Sequence, residues 1–165
     1  MATLPVRKSW ILPAILAAIA AMVVAVMGSF ITDLGPWYQS LEKPGWHPPD
    51  VLFPIGWTAI FAFNTYAIVA AWRAAPSRQV VDRILGLFAL NAFLNITWSM
   101  LFFRLQRPDF AFIEVMALWL SIAALIWYCG RYSRTAALAF TPYLAWVTFA
   151  GALNWAVVDL NGPFG

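Results

Sequence analysis

Charge is scarce in this 165-residue chain: ten basic and seven acidic side chains make up 10% of it, against roughly 25% in a soluble domain. A surface so poor in charge cannot face water on every side. Cysteine and histidine occur once each. The lone Cys129 excludes an internal disulfide, a thiolate cluster and a redox pair, leaving it a structural, apolar role. The lone His47 has no second His, no Cys and no carboxylate within a span with which to complete a metal site or a triad, so no metal is expected. At most it could reach a haem at a pocket rim. Phosphate-binding loops are absent. A net charge of +3 and a pI near 9.4 would suggest nucleic acid only if the basic residues clustered on a soluble face, and they do not. Apolar–polar alternation in stretches of about ten residues, the mark of a membrane β-barrel, is also missing.

What the chain has instead is long apolar runs. It is 63% hydrophobic with a mean hydropathy of +0.76, and a run of roughly 20 apolar residues spans a bilayer. Five such runs occur: about Trp10–Ile31, Val51–Trp72, Ile84–Phe103, Phe110–Tyr128 and Thr135–Val158. The first follows Arg7 and Lys8 like a signal peptide, but it is longer than a signal core and no small-residue cleavage site follows. Only the fourth carries a charge, Glu114, which near the start of its span is expected to be solvated. The expectation is an all-α integral membrane protein, a single domain over 1–165, folded as a five-transmembrane-helix bundle. Short connectors make neighbouring helices antiparallel, with Pro76 and Pro108 in the turns and Asp109 available as a helix cap. Placing Arg7, Lys8, Arg73, Arg78, Arg83, Arg131 and Arg134 inside leaves only Lys43, Arg104 and Arg107 outside. That bias predicts the N-terminus inside and the C-terminus outside.

The connector at 32–50 is then external, and it is unusual. From Trp37 to Thr58 it and the next span hold three Trp, one Tyr and four Pro, where a plain connector needs a few polar residues. Reading depth along alternating helices sets Trp57 and Thr58, Asn95, Thr97 and Trp98, and Asn154 in the outer halves of their spans. Asn64, Asn91 and Trp146 lie nearer the centre. Asn91, Asn95 and Trp98 share a helical face, as do Trp146, Leu153 and Asn154. These polar and aromatic groups predict a pocket roofed by Trp37–Pro49. The same asparagines could instead bond helix to helix. Trp10, Trp37, Trp72, Trp127, Tyr128 and Tyr132 fit interfacial anchors, and Trp119 fits packing. A buried indole N–H needs a partner, which a ligand could supply to Trp57, Trp98 or Trp146. On the first span Ala14, Ala18, Ala21, Ala25, Gly28 and Thr32 form a stripe of small residues. It suits either packing within the chain or a homodimer seam shared with Gly86 and Ala89.

Several motifs resemble one family. Trp37-Tyr38, Leu41, Lys43-Pro44, Trp46, Pro48-Pro49, Phe53 and Trp57-Thr58 are similar to the first loop and second helix of the translocator protein/tryptophan-rich sensory protein family, also known as the peripheral benzodiazepine receptor family. Leu94-Asn95-Ile96-Thr97-Trp98 with Phe102-Phe103 resembles its third helix. Pro142-Tyr143-Leu144-Ala145-Trp146, Ala150, Leu153-Asn154 and Leu160-Asn161 resemble its fifth. The resemblance implies a five-helix bundle, commonly dimeric, that binds protoporphyrin IX and related tetrapyrroles, isoquinoline carboxamides and benzodiazepine-type drugs. No cofactor is implied beyond porphyrin as ligand or substrate. It also implies a link to tetrapyrrole regulation and stress response. Two alternatives follow from it: light-dependent porphyrin breakdown using Trp57 and Trp146, and transport of porphyrin or lipid.

Taken with the depth reading, the candidate ligand-binding residues are Trp37, Trp46, His47, Phe53, Trp57, Phe61, Asn91, Asn95, Trp98, Tyr143, Trp146, Ala150, Leu153 and Asn154. Three departures stand out. The sterol motif of animal members needs Leu, Tyr and Arg where this chain has Leu153, Trp155 and Asp159, so weak or no cholesterol binding is expected. Phe61 stands in place of a Tyr, and Asn91 in place of a common Gln. The chain lacks the basic tail of mitochondrial members. A bacterial membrane, the inner rather than the outer, is therefore expected, with membrane lipid as a partner and no nucleic acid.

Overall fold

The computed structural model describes residues 11–164. Helix α1 spans Ile11–Ile31, the short α2 Pro36–Ser40, α3 Leu52–Ala74, α4 Arg78–Ser99, α5 Pro108–Gly130 and α6 Arg134–Asn161. A π-helical turn, Met100–Arg104, extends α4 without interruption. Five of these rods are long and apolar enough to cross a membrane, and among the described residues there is no strand.

Helix starts follow capping chemistry rather than the edges of the apolar runs. Helix α4 begins at Arg78, a turn and a half before the Ile84 expected from hydropathy. There the Ser77 hydroxyl accepts from the Val80 N–H at 3.4 Å, and Arg78 pairs with Asp82 at 2.9 Å. At α6 the Ser133 hydroxyl accepts from the Ala136 N–H at 3.2 Å. Asp109, expected as a cap, does another job. Pro108 takes the first helical position, which needs no N–H, and Asp109 receives two bonds from the Arg107 guanidinium, at 2.9 and 2.6 Å. The 32–50 connector, expected as a loop, carries α2, begun by Pro36.

The spans close into a ring in the order α1, α3, α6, α5, α4 and back to α1. Away from the 32–50 connector the ring is filled: Ala17 of α1 packs with Ala67, Ile68 and Ala71 of α3, Ile84 of α4, and Phe140 of α6. Cys129 is fully buried in the same cluster. So is Tyr128, which corrects its assignment as an interfacial anchor: its ring turns inward and Tyr132 packs edge-on against it at 5.7 Å. Trp127 does face outward, with the Arg131 guanidinium 3.6 Å above its ring. Trp10, Arg7 and Lys8 lie outside the described residues.

Glu114 also departs from expectation. Both carboxyl oxygens are buried and neither has a hydrogen-bond partner: at its position about a turn and a half into α5 the side chain points inward. An unpartnered buried polar group costs about 1–3 kcal/mol, and the cost rises if it is charged. Glu114→Met keeps the length without the polar atoms, so it should raise the unfolding midpoint in detergent or lipid. An unchanged or lower midpoint would show that the carboxyl is solvated or paired.

Candidate ligand-binding cavity

At the end of the ring nearest the 32–50 connector, the spans part around a cavity of about 500 Å³. Residues of α1, α3, α4, α6 and the connector line it, and none of α5 does. On one side Trp57 stacks on Phe61 (5.8 Å between centroids, 29° between planes) and meets Trp146 edge-on at 6.2 Å, while Trp146 meets Phe53 edge-on at 6.1 Å. Opposite, on α4, Trp98 stacks on Phe102 at 5.3 Å and 27°, beside Phe103. Two aromatic walls therefore face each other across the space.

Gly56 makes the first wall possible. A Cβ there would lie 2.4 Å from the Trp146 ring, well inside contact distance, so only glycine lets the indole rest on the α3 backbone.

Polar groups at the cavity divide into those already used and those open. Asn154, 1% exposed, accepts from the Trp98 indole N–H at 3.1 Å and donates to the Pro108 carbonyl at 2.8 Å. It is a joint between α4, α5 and α6. Asn95 donates to the Tyr143 hydroxyl at 3.3 Å, while its carbonyl oxygen has no bond of its own among those seen in the described residues. Trp119, assigned to packing, donates its N–H to Thr148 at 2.9 Å. By contrast, the N–H groups of Trp57 and Trp146 make no hydrogen bond to the protein among the described residues, and both side chains line the cavity.

Among the described residues, the charged groups on the cavity lining all belong to the lid. Tyr38 donates to Asp50 at 2.9 Å, His47 Nε2 lies 3.3 Å from the same hydroxyl, and Lys43 Nζ sits 3.9 Å above the Tyr38 ring. Burial and the Asp50 carboxylate push the Tyr38 hydroxyl far above its usual range, so it remains a donor. Burial, followed by the Lys43 charge, holds His47 below its ordinary value. A second clasp ties the lid to α6. The Asn161 amide accepts from the Glu42 N–H at 2.7 Å and donates to the Glu42 carbonyl at 2.9 Å.

Of the residues singled out in the sequence, His47, Phe53, Trp57, Phe61, Asn95, Trp98, Trp146, Ala150, Leu153 and Asn154 line the cavity. Trp37, Trp46, Asn91 and Tyr143 do not. Trp37 packs edge-on against Phe102 at 6.0 Å, and half-exposed Trp46 against Phe149 at 5.9 Å. Asn91 is spent on Ser121 of α5 at 2.8 Å. Tyr143 is buried behind Trp57, 6.1 Å between centroids. Sequence reasoning missed Tyr38, Lys43 and Asp50 as cavity groups, and Phe102 and Phe103. It did not place Ala25, Gly28 and Thr32 of the small-residue stripe at the cavity, which all three line; a run of small residues has the same pattern for a cavity border as for a helix seam.

Five apolar spans around a lidded aromatic cavity define a multi-pass membrane protein with an intramembrane pocket. The TspO/MBR family profile matches residues 14–159, and the chain belongs to that family. It is 36% identical over 125 residues to the tryptophan-rich protein TspO of Chlorobaculum tepidum (76% of this chain, 79% of the relative). It is 34% identical to the tryptophan-rich sensory protein of Cereibacter sphaeroides (76% and 77%). With the translocator protein of Bos taurus it shares 36% identity (76% and 75%).

Gly56→Ala should push the Trp146 ring off α3, shifting tryptophan emission and shrinking the cavity; an unchanged spectrum would mean that the wall does not depend on this glycine. The lid should respond to pH. Because the closed lid holds His47 below its ordinary 6.5, an open lid takes up the proton first. Closure is therefore at full strength above that value and weakens as pH falls through it. Hydrogen exchange in residues 38–50 should speed up relative to the rest of the chain on mild acidification, and His47→Gln should remove that change.

Proposed function

We propose that this chain is a membrane receptor or sensor that holds a flat aromatic tetrapyrrole of the protoporphyrin IX type in the cavity beneath its lid. The relatives named sensory and translocator proteins support the receptor or sensor role. The observation that carries the ligand class is the pair Trp57 and Trp146, two cavity-lining indoles with unused N–H donors set among facing aromatic walls. Wide ring faces suit stacking with a planar guest, and the open donors suit a carbonyl or carboxylate on it. The volume, about 500 Å³, lies in the usual range for small-molecule pockets. Smaller aromatic amides of the isoquinoline carboxamide and benzodiazepine kinds fit the same chemistry. A sterol does so less well, because Asp159 is exposed and stands where the animal members' motif has a cation.

Titrating protoporphyrin IX into the full chain in detergent should quench tryptophan fluorescence saturably. Trp57→Leu and Trp146→Leu should each weaken binding. An aromatic contact is worth about 0.5–1.5 kcal/mol beyond area burial, which corresponds to roughly twofold to tenfold in Kd. Quenching no greater than that of an unrelated membrane protein would overturn the proposal.

A further inference from the structure

The cavity is closed above and open at the side. Above it, Tyr38 and Leu41 are buried and the lid is clasped by the Tyr38–Asp50 bond and the paired Asn161–Glu42 bonds. Opening that lid means breaking all of these bonds together, besides exposing the apolar contacts beneath.

The side between α1 and α3 is different. Far from the lid these helices are in close contact: Ala17 is 4% exposed and packs with Ala67, Ile68 and Ala71. Near the lid, Ala25 and Ser29 of α1, Thr32 just past its end, and Pro54 and Thr58 of α3 all line the cavity, yet all are exposed. A Cβ added at Gly28 would meet nothing within 4 Å. No hydrogen bond crosses this gap among the described residues. The Ser29 hydroxyl donates back to Val26 at 2.8 Å and the Thr58 hydroxyl to Pro54 at 2.8 Å, each within its own helix, so neither presents an unmet donor to hydrocarbon. The lid end of α1 is instead tied to α4's side of the ring, where the Arg104 guanidinium donates to the Phe30 carbonyl.

We propose that the cavity loads sideways from the bilayer, through a window between the lid-side halves of α1 and α3 rimmed by Ala25, Gly28, Ser29, Thr32, Pro54 and Thr58. The guest class is set by that route. It is an apolar or amphiphilic molecule already dissolved in the membrane, which slides between helices without breaking the lid's hydrogen bonds. Lys43 and His47, at the lid end of the same space, meet whatever polar end it carries near the headgroup level. This inference rests on the binding proposal above and adds the path by which the guest arrives.

The test uses the full chain reconstituted in phosphatidylcholine vesicles, with protoporphyrin IX as the probe and stopped-flow tryptophan quenching as the readout. Gly28→Ala, Gly28→Leu and Gly28→Phe place successively larger side chains in the window. Association and dissociation should slow together in that order, by tenfold or more for the largest. A second variant carries Glu42→Cys and Asn161→Cys, cross-linked to lock the lid, and should exchange the probe at the unmodified rate. Rates independent of residue 28, or exchange abolished by locking the lid, would overturn the lateral route while leaving binding intact. Should Gly28→Phe lose equilibrium binding, the rates of Gly28→Leu decide. Absence of saturable quenching in the unaltered chain would instead overturn the binding proposal, and the window with it.

Discussion

The lid end of the bundle depends on one buried amide. Asn154, 1% exposed, takes the Trp98 N–H from α4 and gives its own N–H to the Pro108 carbonyl at the start of α5. In a bilayer no water is available to satisfy these groups, so a side chain that satisfies three helices at once fixes their spacing. An indole N–H, an amide oxygen and a backbone carbonyl would each be stranded if the joint opened. Trp98 is thereby held with its ring along the cavity wall, stacked on Phe102.

From that joint the division of labour follows. Helix α5 supplies support and no lining: Ser121 engages Asn91, and Trp119 engages Thr148. Polar residues on the α4, α5 and α6 side are thus largely consumed in holding helices together. The α3 and α6 wall keeps its indole N–H groups free because Trp57 and Trp146 are held by ring contacts and by the missing Cβ of Gly56 rather than by hydrogen bonds. A rigid scaffold beside an unspent aromatic wall is the arrangement expected of a binding pocket.

The five spans were legible because bilayer thickness imposes a length on any apolar run that crosses it. Their starts were not, since Ser77 and Ser133 cap helices beyond the hydropathy edges. In the site, the spacing of Asn95 and Trp98, and of Trp146, Leu153 and Asn154, marked the correct faces. Spacing could not separate Asn91, bonded to α5, from Asn95, which borders the cavity, because the two lie on one face a single turn apart. Glu114 was placed by its distance from the span's end, a measure blind to rotation about the helix axis.

Sequence alone determined the class of protein, the number of spans, the aromatic character of the lid and its chief relatives, all of which follow from local composition, length and short motifs. Tertiary structure decided which polar groups are spent and which are open, and that Ala25, Gly28 and Thr32 border a cavity. Hydrogen-bond satisfaction and empty space are properties of residues far apart in the chain. Asn161 clasps Glu42 across 119 positions, and no periodicity within a single helix carries that information.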